Sequence, residues 1–299
     1  MRNALSEPQP SIGRALAEAA TRLEQSAGDG GREARSLWAA VAGVAPGDVW
    51  LRRDEAQPAV VAARFWAAVE RRASGMPFAY AVGRASFRGL ELELDARALI
   101  PRPETEGLVE LVLREAGERG AGSGLRGVVA DIGTGCGCIA LSLAVEGAFE
   151  RVIAVERSRE AAQLARENVA RIRPATPVEV REGDLLVPLR GVGERYRVIV
   201  ANPPYLTTAE YDALDPSVRL FEPRAALESG ADGLDATRAL LAGAAALLQP
   251  GGLLALEIDE RRADAVGALA GAGAWDRVVI HEDLFGRPRY ALVYARDDG

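Results

Sequence analysis

Ser11 precedes Ile12, Ala15, Leu16, Ala19, Ala20 and Leu23, a spacing that lays one apolar stripe along a helix with Ser11 as its N-cap. Gly28 to Gly31 interrupts the stripe. Residues 32–43 and 58–74 then repeat the amphipathic pattern, with Trp38, Val41, Val61, Phe65, Trp66 and Val69 on their apolar faces. Residues 1–78 therefore read as a small α-helical bundle. It carries no recognisable chemistry of its own, which leaves binding or orientation of a substrate as its expected role. The polar, proline-containing stretch 1–10 reads as a frayed end.

The period changes between Phe87 and Asp95. Leu90, Leu92 and Leu94 alternate with Glu91, Glu93 and Asp95, as on a half-buried strand. This predicts one arm of a connecting β-hairpin within residues 79–103. The prolines of Ile100-Pro101-Arg102-Pro103-Glu104-Thr105-Glu106 predict a rigid turn, with a helix from Glu106 onward. From about residue 126 strand and helix patterns alternate. Strands are expected near 128–130, 152–155, 178–180, 198–201 and 253–258, with two more at 278–280 and 290–294. Helices are expected at 138–145, 158–172 and 235–249. Such alternation implies an α/β fold with a seven-stranded, mostly parallel sheet covered on both faces, over residues 104–299. Ligands in such sheets bind at the carboxyl ends of the strands.

Composition narrows the function classes. A chain of 299 residues suits two domains, and its net charge of −7 disfavours bulk nucleic-acid binding, which rests on basic surface. All 36 basic residues are arginine, so no lysine base or Schiff-base former exists. Cys136 and Cys138 lie too close together to close a useful loop, and His281 is the single histidine, so neither a disulfide framework nor a metal site is expected. The first residues lack an apolar signal core, and no run of 18 apolar residues exists. The expectation is a cytoplasmic monomer with no membrane contact.

Four motifs fall at strand ends. Asp131-Ile132-Gly133-Thr134-Gly135-Cys136-Gly137 joins a strand to a helix. Its G-x-G-x-G spacing differs from the G-x-G-x-x-G of dinucleotide folds. Glu156 closes the next strand, where a carboxylate can accept from both ribose hydroxyls of a nucleoside. Gly183-Asp184-Leu185 follows the third strand, where Asp184 can accept from an exocyclic amine and Leu185 can pack on a ring. Each of these alone also fits an ordinary turn or a solvated strand end.

Asn202-Pro203-Pro204-Tyr205, after the fourth strand, decides the chemistry. A nitrogen conjugated to a π-system is a poor nucleophile because its lone pair is delocalised. The Asn202 side-chain oxygen and the Pro203 carbonyl can accept both of its N–H bonds and favour a pyramidal nitrogen. Tyr205 can stack on the planar group, and the prolines hold the geometry in advance. No base is needed before transfer, because the product cation is acidic. The loop leaves an amide and a nucleobase amine equally open.

With Phe221-Glu222-Pro223-Arg224-Ala225-Ala226-Leu227 and Asp283-Leu284-Phe285-Gly286, these motifs resemble the HemK/PrmC family from about Gly75 to Tyr294. The resemblance implies a class I, Rossmann-like methyltransferase with an N-terminal helical domain. Its implied reaction is transfer of a methyl group from S-adenosylmethionine, leaving S-adenosylhomocysteine, to the side-chain amide N5 of the Gly-Gly-Gln glutamine in peptide chain release factors. It implies cofactor contacts from Asp131, Gly133, Thr134, Gly135, Cys136, Gly137, Glu156, Asp184, Leu185 and Asn202. It implies substrate contacts from Asn202, Pro203, Pro204, Tyr205, Glu222 and Pro223, with the Pro101–Glu106 segment lining the pocket; the catalytic group is Asn202, Pro203 and Tyr205. Glu156 stands where the family usually has Asp, and Asp259 where it commonly has Gly. Three rival readings are a glutamine methyltransferase for a ribosomal protein, a DNA adenine-N6 methyltransferase, and a module that kept the fold without the activity.

Overall fold

A computed structural model describes residues 10–120, 127–191 and 193–297. Of the expected frayed end, residues 1–10, all but Pro10 lie outside them. The chain divides into two compact units between Arg84 and Ala85.

The first unit is helical. It contains α1 (Ile12–Ala27), α2 (Gly30–Ala42), α3 (Asp48–Leu51), α4 (Ala59–Ala73) and α5 (Phe78–Val82). Ser11 caps α1 by accepting from the Arg14 N–H, and Asp29 caps α2 by accepting from the Arg32 N–H. Ile12, Leu23, Leu37, Trp38, Phe65 and Val69 are fully buried in one core, and Ala81 of α5 joins them. Burial of each large side chain contributes about 1.5–3 kcal/mol. Because α5 packs into this core, the helical unit extends past residue 78.

A hairpin of β1 (Arg84–Phe87) and β2 (Leu90–Glu93) begins at the division between the units. The strand expected over 87–95 is in fact broken by its turn. Arg88 and Gly89 both have positive φ, 46° and 76°, as a two-residue type I′ hairpin requires. The alternation beyond the turn holds: Leu92 and Leu94 are buried, and Glu91 and Glu93 are exposed.

Next come α6 (Pro103–Gly120), β3 (Val128–Ile132), α7 (Cys138–Glu146), β4 (Arg151–Glu156), α8 (Arg159–Ile172), β5 (Val178–Glu182) and β6 (Tyr196–Ala201). The short helices α9 (Thr208–Asp212) and α10 (Pro216–Arg219) follow. The chain closes with α11 (Asp235–Gly243), β7 (Leu248–Glu257), α12 (Ala263–Gly271), β8 (Trp275–Glu282) and β9 (Pro288–Ala295). Two boundaries differ from expectation. Helix α6 starts three residues early, at Pro103, because proline at a first helical position loses no intrahelical bond. Helix α11 stops at Gly243 rather than 249, because Leu248 already pairs with Tyr196 in the sheet.

The sheet has seven strands in the order β5-β4-β3-β6-β7-β9-β8. All neighbours from β5 to β7 are parallel, and β9 runs antiparallel to both β7 and β8. Strand order reverses between β3 and β6, so a crevice is expected there.

Candidate active site

The register of the sheet aligns the motifs. Ile132 pairs with Val155 and with Ala201, Glu156 with Glu182, Ala201 with Leu256, and Glu257 with Tyr290. One step beyond the Ile132–Val155 and Ala201–Leu256 pairs, Glu156, Gly133, Asn202 and Glu257 stand in a row along the carboxyl edge, and Gly183 follows Glu182 one residue further on. A cavity of about 490 Å³ opens over this row, within the usual size of a small-molecule site. Its wall includes Gly133, Gly135, Glu156, Asp184, Leu185, Asn202, Pro203, Pro204 and Pro223.

Gly133 has φ 74° and a Cβ built there would meet no atom within 4 Å, so the backbone lies open to the cavity. The loop is held from behind. Gly133 and Thr134 donate their N–H groups to the Val155 carbonyl, at 2.9 and 3.0 Å. Asp131 is fully buried, and its Oδ2 accepts from the Thr134 hydroxyl at 2.5 Å and from the Ala140 N–H at 3.0 Å. Asp131, Thr134, Cys136 and Gly137 therefore brace the loop from beneath and do not line the cavity. Asn168 of α8 adds a clamp that the sequence did not reveal. Its amide donates to the carbonyls of Glu93 and Cys136 and accepts from the Glu93 N–H, tying the loop to β2. The thiol of Cys138 is raised by hydrogen bonding with Cys136 and by burial, which disfavours a thiolate.

Glu156 is fixed in the wall. Its Oε2 accepts from the Gly135 N–H at 3.0 Å and its Oε1 from the Ser158 N–H at 2.8 Å. Each carboxylate oxygen keeps a second lone pair, so this pair of acceptors fits the two hydroxyl donors of a vicinal diol. Leu185 lines the cavity in left-handed backbone (φ 44°), a conformation that costs a non-glycine residue about 1–2 kcal/mol. Among the described residues no cluster of three or more His, Cys, Asp or Glu is placed to hold a metal.

The Asn202 loop is pinned to the Phe221–Leu227 segment. The N–H groups of Tyr205 and Leu206 both donate to the Leu227 carbonyl, at 3.2 and 2.9 Å, and Ser229 donates back to Leu206. The Asn202 amide donates through Nδ2 to the Thr105 hydroxyl at 3.1 Å, and that hydroxyl donates to Glu257 Oε2 at 2.7 Å. Thr105 belongs to the Ile100–Glu106 motif, whereas Glu257 carries no signal in the sequence.

Three of the expected site elements stand off the cavity wall. Glu222 is buried, but its oxygens accept from the Ile100 N–H at 3.2 Å and the Arg102 guanidinium at 2.6 Å. It fixes the segment before α6 instead of facing the cavity. The Pro101–Glu106 segment likewise stays off the wall, and Arg97, Ala98 and Leu99 take that place. Tyr205 is absent from the wall too; its phenol is pushed up to about 12 by burial and by the charge of Glu257.

The departure at Asp259 has a structural account. Its carboxylate accepts from the Arg261 N–H at 2.8 Å and from the Arg261 guanidinium at 2.9 and 2.8 Å, and it lies 3.3 Å from Arg262 Nη1. Arg262 in turn donates to Glu210 at 2.6 Å, and Glu210 completes a capping box with Thr207 at α9. The end of β7 is thereby tied to the chain that follows the Asn202 loop.

Comparison with known proteins agrees with this architecture. Residues 14–83 match the PrmC N-terminal domain and residues 112–222 the methyltransferase small domain. A release factor glutamine methyltransferase of Moorella thermoacetica is 44% identical over 248 residues, 83% of this chain and 85% of that protein. One of Cereibacter sphaeroides is 41% identical over 283 residues, 94% of this chain and 97% of that protein. The catalytic domain of hMettl16, solved with MAT2A 3′UTR hairpin 6, superposes at TM-score 0.53 and 19% identity, covering 80% of this chain and 82% of that one, a likeness of fold alone. With two such relatives matched along nearly their whole length, the chain belongs to the release factor glutamine methyltransferase family.

Proposed function

We propose that this protein transfers a methyl group from S-adenosylmethionine to the N5 amide nitrogen of a release-factor glutamine, the one in the Gly-Gly-Gln motif. The observation that carries the reading is that Asn202 and Pro203 line the same cavity as Gly133, Glu156 and Asp184. The open backbone at Gly133 and the fixed Glu156 carboxylate suit the amino-acid and ribose parts of S-adenosylmethionine. Asp184 and Leu185 suit its adenine. When bound, the sulfonium supplies an electrophilic methyl group.

The chain's own task is to make an amide nitrogen nucleophilic. Asn202 Oδ1 and the Pro203 carbonyl accept its two N–H bonds, which favours a pyramidal nitrogen and localises the lone pair. The loop's bonds to Leu227 hold both acceptors in place, so little reorganisation accompanies transfer. The methylated nitrogen then loses its extra proton to solvent. The helical unit, with Trp50 and Leu51 largely exposed, docks the protein that carries the glutamine.

Incubation with release factor and isotope-labelled S-adenosylmethionine, followed by mass spectrometry of the Gly-Gly-Gln peptide, tests this. One added methyl on that glutamine is expected. Asn202→Ala should lower turnover about a hundredfold or more while cofactor binding persists. Label found only on a ribosomal protein or on DNA, or unchanged turnover in Asn202→Ala, refutes the assignment.

A further inference from the structure

A side-chain amide has two nearly isosteric ends, and only its oxygen can accept a hydrogen bond. Asn202 must therefore be held in one of two flips for the cavity to offer an acceptor to a substrate amide. Nothing in the Asn-Pro-Pro-Tyr loop makes that choice. The choice comes from across the sheet, where register puts Glu257 one step beyond the Ala201–Leu256 pair and the first turn of α6 puts Thr105 beside both.

We propose that Glu257, acting through the Thr105 hydroxyl, is the positioning device that keeps the Asn202 amide oxygen turned into the cavity. The logic follows the protons. In its ionised form the carboxylate has no proton to give, so Glu257 then accepts and the Thr105 hydroxyl spends its single proton, at 2.7 Å, on Oε2. Thr105 oxygen is then left only as an acceptor toward Asn202. The amide answers with an N–H, at 3.1 Å, and its oxygen is left for the substrate. A reversed amide would set oxygen against a hydroxyl that has no proton left to offer. Both Thr105 and Glu257 are almost wholly buried, at 2% and 1% exposure, so water does not readily replace either partner. Burial pushes the Glu257 carboxyl up to about 7, while the Thr105 hydroxyl and the nearby Arg289 and Arg102 favour its anion and Glu104 opposes it. Tyr205, Tyr290 and Arg289 also sense its charge.

This inference rests on the amide-methylation reading, and the test separates the two. Steady-state turnover of release factor and equilibrium binding of S-adenosylmethionine are measured on the full chain for Thr105→Val, Thr105→Ser, Glu257→Gln and the Thr105→Val/Glu257→Gln double variant. Valine matches threonine in shape, so the fold should persist, and unchanged cofactor binding checks it. Thr105→Val is expected to lower kcat about tenfold or more, roughly one well-placed hydrogen bond. Thr105→Ser, which keeps the hydroxyl, should recover most of the loss. Glu257→Gln, which no longer compels Thr105 to donate toward it, should lower kcat at least threefold in the parent and add little in the Thr105→Val background. Turnover within twofold of the parent in Thr105→Val, or a Glu257→Gln effect of equal size in both backgrounds, overturns the relay. If Asn202→Ala abolishes turnover in the same assay, such a result removes the relay alone; if Asn202→Ala is also silent, the amide reading falls first.

Discussion

Asp131 is the residue whose place in the fold departs furthest from its place in the motif. It opens the glycine-rich loop in sequence, yet it is fully buried behind that loop, and its Oδ1 has no hydrogen-bond partner among the described residues. Burial pushes its carboxyl up to about 7; hydrogen bonds from Thr134 and Ala140 pull the other way, and the charge of Glu156 adds to the rise. In the unfolded chain an aspartate titrates near ~3.9. Between these two values the native state holds a proton that the unfolded state has lost, so this group's contribution to stability falls as pH rises. It is fully present below about 4 and is lost as pH passes through about 7. Asp131→Asn fixes the side chain in a neutral form. Urea unfolding at several pH values should therefore show the stability advantage of the parent over Asp131→Asn shrinking as pH is raised from 5 to 8. A difference that stays constant with pH would show that Asp131 does not titrate in that window.

Elements were legible where the local backbone demanded particular residues. The strands β3 and β6 end in motifs that only glycine, asparagine and proline can build, and both strands lie where the apolar runs placed them. Legibility failed where a tertiary partner set the boundary. Leu247 and Leu248 continue the helical pattern of α11, but pairing with Tyr196 claims Leu248 for β7. Thr105 and Glu257 lie 152 positions apart, and although Thr105 belongs to the Ile100–Glu106 motif, only the packing of α6 against β7 joins the two. Gly107 is a third such case. It sits in the first turns of α6 with no turn to explain it. A Cβ there would lie 2.9 Å from the Tyr290 ring and closer still to its hydroxyl, which donates to the Glu104 carbonyl at 2.7 Å. Tyr290 is 4% exposed and cannot swing aside. Alanine would add about 1 kcal/mol of helix propensity, but overpacking against a fixed ring costs about 1–3 kcal/mol. Gly107→Ala is expected to lower the denaturant midpoint with m unchanged, and shortening of Tyr290 to Phe in the same chain should recover part of the loss. A midpoint above that of the parent would show that Tyr290 yields.

At the scale of the whole molecule the two units divide the work unequally. Among the described residues, every one that lines the cavity belongs to the second unit. The motifs of the second unit were readable because chemistry constrains them, whereas a docking face need only be apolar and accessible and so leaves no spacing to read. On the first unit Trp50 is 63% exposed and Leu51 80% exposed, side by side on α3. Large apolar side chains that stand in water instead of the core mark a surface that gains by being covered. If they meet the protein that carries the glutamine, their removal should act on capture and not on the chemical step. The Trp50→Ser/Leu51→Ser variant is expected to raise KM for intact release factor about tenfold, in line with the loss of one aromatic anchor. Its kcat should stay near that of the parent, and its turnover of a short glutamine peptide should be unaffected. That split is the discriminating result: an equal loss on peptide and protein would mean that the helical unit serves the fold of the enzyme and not the recognition of its partner.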